Sequence, residues 1–160
     1  MARAFVGVGA NLGDAVGQAK AAIAALATLP GSRLLAASSL YRTAPVGYAA
    51  QPDFVNAAVL LETGLAPRAL LAALQAIEAR HGRTRSFRDA PRTLDLDLLL
   101  YGDEVIDEPG LAVPHRRLHE RAFALAPLVE IDPAAAIPGR GAARDCLARL
   151  GDQRVERIEA

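Results

Sequence analysis

Arg83, Arg85, Arg88 and Arg92 stand just ahead of a strand-like run, Leu94 to Tyr101, that carries Asp95 and Asp97. Side chains alternate along a strand, so the two carboxylates should project from one face while Leu94, Leu96 and Leu98 project from the other. Neighbouring carboxylates repel, and aspartate is depleted in strands, so something cationic should occupy the space beside them. Asp95 and Asp97 are hard oxygen donors of the kind Mg²⁺ takes one or two of before completing its shell with phosphate and water. The arginines are bidentate phosphate donors. A divalent metal carrying a phosphate chain therefore fits both halves of the stretch. A charged sheet face whose aspartates pair with nearby arginines fits it too, and these residues alone leave both readings open.

Other polar residues extend the choice. Asn56 is the polar intrusion in the apolar run Phe54 to Glu62, and its amide suits the edge of a heterocycle or a backbone turn. Gln75 and Glu78 lie three apart on one side of a helix-like segment, as a solvated pair or as part of the site. His115, beside Pro114, is a surface loop residue or a phosphate donor. Several chemistries are missing. No G-x-x-x-x-G-K-[ST] loop exists, and Gly7, Gly9 and Gly13 do not have the dinucleotide-binding spacing. His81, His115 and His119 lack zinc-ligand spacing, and no Ser-His-Asp elbow appears.

The whole chain sets limits on partners. Its 160 residues balance 18 basic against 18 acidic side chains, so anion affinity must be local, and neither nucleic acid nor an acidic membrane is expected as a partner. Aromatics make up 4%, too few for a stacking nucleic-acid surface. Lys20 is the one lysine, so arginine is the general cation of this chain and its use at any one position carries little information. The single cysteine, Cys146, sits in a helical pattern and reads as a packed small residue. No secretory h-region and no membrane-length apolar run is visible, which predicts a cytoplasmic protein with no obligate protein partner evident.

The elements that must position these residues follow from periodicity and punctuation. Ala4 to Ala10 reads as a buried strand, and Asp14 can N-cap a helix through about Leu29, ended by Pro30-Gly31. Arg33 to Tyr41 is a second strand, Thr43 to Pro52 a loop, and Phe54 to Glu62 a third strand. Pro67 suits the first turn of a helix with Leu70, Leu71, Leu74 and Ile77 as its apolar stripe and Gly82 as its close. The strand with the two aspartates follows. Beyond it the pattern predicts a loop from Asp107 to Gly110, helical spacing from about Leu118 to Leu125 interrupted by Pro127, and a short helix from Ala142 to Leu150. This order predicts one α+β domain over residues 1–160: a ferredoxin-like βαββαβ core, a largely antiparallel sheet with helices packed on it, and extra C-terminal helices.

The segments GANLGD (Gly9 to Asp14), YRTAPVG (Tyr41 to Gly47), QPDFVNAA (Gln51 to Ala58), GRTR (Gly82 to Arg85), PRTLDLDLLLYG (Pro91 to Gly102) and VPHRRLHERAFALAPL (Val113 to Leu128) together resemble the 6-hydroxymethyl-7,8-dihydropterin pyrophosphokinases of folate biosynthesis. The resemblance covers the chain in order to about Pro133, while the residues after Pro138 add little. It implies transfer of pyrophosphate from ATP to the pterin hydroxymethyl oxygen with release of AMP. By the same resemblance Asp95 and Asp97 hold two Mg²⁺ ions, and Arg83 and Arg92 stabilise the transferring group. Arg85, Arg88, His115 and Arg121 contact phosphates, and Gln75 and Glu78 line the nucleotide side. Thr43, Ala44 and Val46 meet the pterin through their backbone, Asn56 reads its polar edge, and Phe54 and Phe123 stack on its faces, as flat heterocycles prefer.

Two positions depart from the family pattern. The family tryptophan ahead of the PRT segment, in a loop that closes over the substrates, is replaced by Asp89-Ala90, with Phe87 nearby. A family arginine just before L-x-x-P-H is here Gly110. The competing reading of the chain is a non-catalytic nucleotide- or anion-binding module on the same scaffold.

Overall fold

The computed structural model describes residues 1–11, 13–43, 53–81 and 94–158. Strand β1 spans Ala2–Ala10, α1 Ala15–Ala27, β2 Ser32–Ala37, β3 Tyr41–Thr43, β4 Phe54–Thr63, α2 Pro67–Arg80 and β5 Asp95–Tyr101. A hairpin of β6 (Ile106–Glu108) and β7 (Leu111–Val113) follows, then a 3₁₀ turn at Leu118–Glu120 and α3 at Ala122–Ile131. The chain ends with β8 (Ala136–Ile137), β9 (Gly141–Ala142), α4 (Ala143–Ala148) and β10 (Val155–Arg157).

The start signals of the first two helices hold, while Gly82, expected to close the second, lies outside the described residues. Asp14 caps α1 by accepting from the Gly17 N–H at 3.0 Å, and Pro67 opens α2, where its missing N–H costs nothing. Every pairing in the main sheet is antiparallel, with β1 between β4 and β5, and with β2 and β3 both on the far side of β4. The α+β, ferredoxin-like topology is thus present. Its second strand is split, because the segment expected from Arg33 to Tyr41 leaves the ladder at Ser38 to Leu40 and re-enters as β3. Glu130 of α3 accepts from the Ser39 N–H and Oγ in that break and from the Tyr41 hydroxyl, which holds the crossover.

Three further expectations are corrected. Asp107 to Gly110 is mostly hairpin, with Pro109-Gly110 as a two-residue turn in which Gly110 takes φ +79°, the conformation a Pro-Gly type II turn demands. Pro127 lies inside α3 and does not end it. Leu125, Pro127 and Leu128 are all buried there, so apolar packing outweighs the one backbone bond that proline removes. Helix α3 itself begins later than its spacing suggests, because Arg121 is extended (φ −122°, ψ 103°) and separates it from the 3₁₀ turn. The C-terminal segment also adds a sheet strand, since Val155 pairs with Thr43 and Arg157 with Tyr41.

The two sheet faces differ in a way that creates the site. One face, with Val6, Val8, Val59, Leu61, Leu96 and Leu98, is covered by Leu26 of α1 and by Leu70, Leu74 and Ile77 of α2. The other face is apolar at one end only, where Phe5, Leu60, Leu99 and Leu100 meet Leu125 and Leu128 of α3 and Cys146 of α4. A bulge in β5 opposite Phe5 and Val6 lets Leu99 and Leu100 both join that cluster. The remaining half of this face carries glycines and polar residues.

Candidate active site

On that open half the register aligns Tyr41, Asn56, Gly9 and Asp95 in one row across four strands, with Ala58, Gly7 and Asp97 in the row beside it. Paired residues share a face, so Asp95 and Asp97 do project together, with Leu96 buried behind them. Gly7 and Gly9 put no side chain between the aspartates and Asn56. A Cβ at Gly9 would sit 3.2 Å from Asn56 Oδ1, so the glycine lets that amide lie across the sheet. Asn56 is 5% exposed and donates through Nδ2 to Thr43 Oγ1 at 2.8 Å. Among the described residues nothing else bonds to it, which leaves one N–H and its carbonyl oxygen available.

A cavity of about 580 Å³ rises above this floor, with Thr43, Phe54, Asn56, Asp95 and Asp97 on the sheet side and Arg117, Arg121, Phe123 and Gln153 on the other. A second cavity of about 520 Å³ opens on the far side of β5, between Leu71 of α2 and the β6–β7 hairpin. Asp97, His115 and Arg117 line both. One cavity has aromatic walls and a buried amide, the other is flanked by Leu71, Leu98 and Leu111, and they meet at an aspartate, a histidine and an arginine.

His115 reaches this junction because its backbone N–H donates to the carbonyl of Leu99, in the bulged part of β5, at 2.9 Å. The Arg117 N–H donates to His115 Nδ1 at 3.2 Å, so the neutral ring carries its proton on Nε2. Burial pulls the His115 pKa below its ordinary 6.5, Asp97 pushes it back up, and Arg121 and Arg117 add to the fall. Burial and the nearby Arg117 likewise lower Arg121, against the pull of Asp97, Glu120 and Asp95. Arg121 also lies over the Phe123 ring, 5.5 Å from its centroid. Cations crowded together in a partly buried cleft beside carboxylates form a field suited to a polyanion that brings its own metal ions.

Eight of the residues singled out in the sequence thus line one cavity: Thr43, Phe54, Asn56, Asp95, Asp97, His115, Arg121 and Phe123. Gln75 is exposed on α2 and lines neither cavity. Glu78 points inward, 4% exposed, and its Oε2 accepts from the Leu96 N–H at 2.8 Å, on the backbone between the two aspartates. Ala44, Val46, Arg83, Arg85, Arg88 and Arg92 lie outside the described residues, as do Phe87 and Asp89-Ala90. Sequence reasoning passed over Arg117, Gln153 and the floor glycines. The dense charge of HRRLHER at His115 to Arg121 was a signal for Arg117, whereas nothing local marks Gln153.

Asp95 and Asp97 fit hard cations. They face an open cavity with only glycine beside them on β1, and among the described residues no cluster of three or more His, Cys, Asp and Glu side chains forms a closed metal site. Two carboxylates are the number Mg²⁺ commonly takes from a protein, with phosphate and water completing its shell.

Comparison with known proteins gives a consistent set of likenesses. The family model described as 7,8-dihydro-6-hydroxymethylpterin-pyrophosphokinase matches residues 5–133. The 2-amino-4-hydroxy-6-hydroxymethyldihydropteridine pyrophosphokinase of Pseudomonas aeruginosa is 45% identical over 98% of this chain and 96% of its own length. Its namesake from Methylorubrum extorquens is 43% identical over 99% and 100%. Among solved structures, an HPPK-DHPS in complex with substrates superposes with a TM-score of 0.77 at 13% identity, over 94% of this chain and 43% of that one. A wild-type Plasmodium falciparum HPPK-DHPS gives 0.73 at 13%, over 92% and 42%. This chain therefore spans less than half the length of those two, and they bear on its fold alone.

Proposed function

Because this chain belongs to the 7,8-dihydro-6-hydroxymethylpterin-pyrophosphokinase family, it performs ATP-dependent pyrophosphoryl transfer to hydroxymethyldihydropterin in folate biosynthesis, and we propose that the transfer takes place where its two cavities meet. The observation that carries this reading is the sharing of Asp97, His115 and Arg117 between the two. The aromatic cavity takes the pterin. Phe54 and Phe123 supply stacking surface, Thr43, Ala44 and Val46 meet the ring through their backbone, and the amide of Asn56, held by Thr43, pairs with its donor–acceptor edge. The cavity beyond β5 takes the nucleotide, whose phosphates run toward Asp97.

In the reaction the pterin hydroxymethyl oxygen bonds to the β-phosphorus, the bond from that phosphorus to the α-phosphate oxygen breaks, and AMP leaves as the hydroxyl proton is lost. Two Mg²⁺ ions held by Asp95 and Asp97 supply charge neutralisation at the phosphate oxygens when bound. Arg83 and Arg92 stabilise the transferring group, while Arg85, Arg88, His115 and Arg121 fix the remaining phosphates; Gln75 stands on the nucleotide side outside the cavity, and Glu78 serves that side through the Leu96 N–H it holds. His115 presents its Nε2–H as the donor, because Nδ1 is engaged by the backbone. The whole of residues 1–160 serves as one pyrophosphokinase domain in the cytoplasm, and no described helix is long and apolar enough to cross a membrane.

Phosphorus NMR of the protein with ATP, Mg²⁺ and the reduced pterin tests this reading. AMP and a pterin diphosphate should accumulate one for one, and chelating the metal should stop them. ADP as product, or no turnover, would overturn it.

A further inference from the structure

Helix α3 carries Phe123 in its first turn, and the residue at its N-cap is Arg121, whose side chain makes no cap. The first N–H groups of a helix need acceptors from elsewhere. Arg121's own carbonyl accepts from Ala124 and Leu125, which leaves the Ala122 N–H to be met from outside the helix. Gln153 meets it. Its Oε1 accepts from the Ala122 N–H at 2.9 Å, and its Nε2 donates to the Glu120 carbonyl, also at 2.9 Å. One side-chain amide thus bridges the peptide groups on either side of Arg121.

The clamp is itself anchored. The Gln153 N–H donates to the Leu150 carbonyl, and two residues on the chain enters β10, where Val155 pairs with Thr43. Thr43 holds Asn56 on the opposite wall of the same cavity. A single segment, Leu150 to Arg157, therefore braces both walls, and it lies beyond the 5–133 matched by the family model.

We propose that Gln153 is a positioning residue for the transfer reaction, setting the backbone from which Arg121 and Phe123 reach the acceptor cavity. It acts through those residues, and the proposal rests on the reading of that cavity as the pterin side. Gln153→Leu keeps most of the volume and removes both hydrogen bonds. Loss of preorganisation should raise KM for the reduced pterin about 3- to 10-fold through Phe123, with a smaller change in KM for ATP, whose phosphates Arg121 shares with Arg85, Arg88 and His115. Gln153→Glu keeps the acceptor for Ala122 and loses the donor to Glu120, and should fall between wild type and Gln153→Leu. Amide exchange at Ala122 should quicken in Gln153→Leu, while the thermal midpoint falls only slightly, because Gln153 is exposed and water can take over part of what it bonds.

Unchanged kinetics in Gln153→Leu, or kcat and both KM values shifting together with a markedly lowered midpoint, would overturn the proposal. The exchange rate at Ala122 reads the clamp without turnover. Failure of the wild type to make AMP would therefore count against the reaction, and unchanged exchange would count against the clamp.

Discussion

Asp95 and Asp97 flank Leu96, and that leucine's backbone shows how the strand tolerates two carboxylates side by side. Strand β5 is at the edge of the main sheet, so its outer N–H groups need partners from outside the ladder. The Leu96 N–H finds one in Glu78, a carboxylate drawn from α2 into the core to meet it. The sequence marked Gln75 and Glu78 as a pair three apart on a helix, but spacing cannot say that one is exposed and the other turns inward. Removing that acceptor orphans a buried donor. Glu78→Ala should lower the unfolding free energy by about 1 to 3 kcal/mol and slow turnover as well, because the stretch it holds carries both aspartates. Glu78→Gln, which keeps an acceptor oxygen, should do less. Urea denaturation and steady-state assays on the two variants check this, and an alanine variant with wild-type stability would refute it.

At the scale of elements, what the sequence disclosed was the local part. Asp14, Pro67 and the leucine stripe of α2 act through neighbours within one or two turns, so their signals stand in the chain itself. The break between β2 and β3, the passage of α3 through Pro127 and the C-terminal strand all depend on contacts between distant segments. Glu130 shows why. It joins α3 to Ser39 and Tyr41 and lies 3.8 Å from Arg157 of β10, partners that no local pattern reveals. Burial raises its pKa, yet the hydrogen bonds from Tyr41 and Ser39 and the charge of Arg157 outweigh that and leave it below its ordinary 4.5. A carboxylate lowered in this way adds stability in full above the unfolded value and loses it as pH falls through the folded one. Glu130→Gln should therefore be less stable at pH 7, by no more than about 1 kcal/mol because Glu130 is exposed to solvent, and should flatten the acid limb below about pH 4.5. Parallel stability profiles for variant and wild type would contradict the assignment.

For the molecule as a whole, function follows from an unequal use of the two sheet faces. One is closed by α1 and α2, and the other is closed by α3 and α4 only over its leucine-rich end. The D-L-D-L alternation disclosed which face the aspartates share, but the leucines that follow do not reveal the bulge that seats His115. The junction between two cavities was not legible, because it arises from β5, the β6–β7 hairpin and the turn before α3 meeting in space. Gly110 illustrates the same point: as a sequence difference it reads as a lost arginine, and as structure it is the turn that shapes the second cavity. The central claim is that this junction performs the transfer, and Asp97 is the carboxylate both cavities share. Steady-state turnover of Asp97→Asn, measured beside its urea denaturation, tests it most directly. The predicted result is a fall in kcat of roughly 30- to 900-fold, equivalent to about 2 to 4 kcal/mol of transition-state stabilisation, with an unfolding midpoint close to wild type. Turnover near wild type in a folded Asp97→Asn would contradict the account.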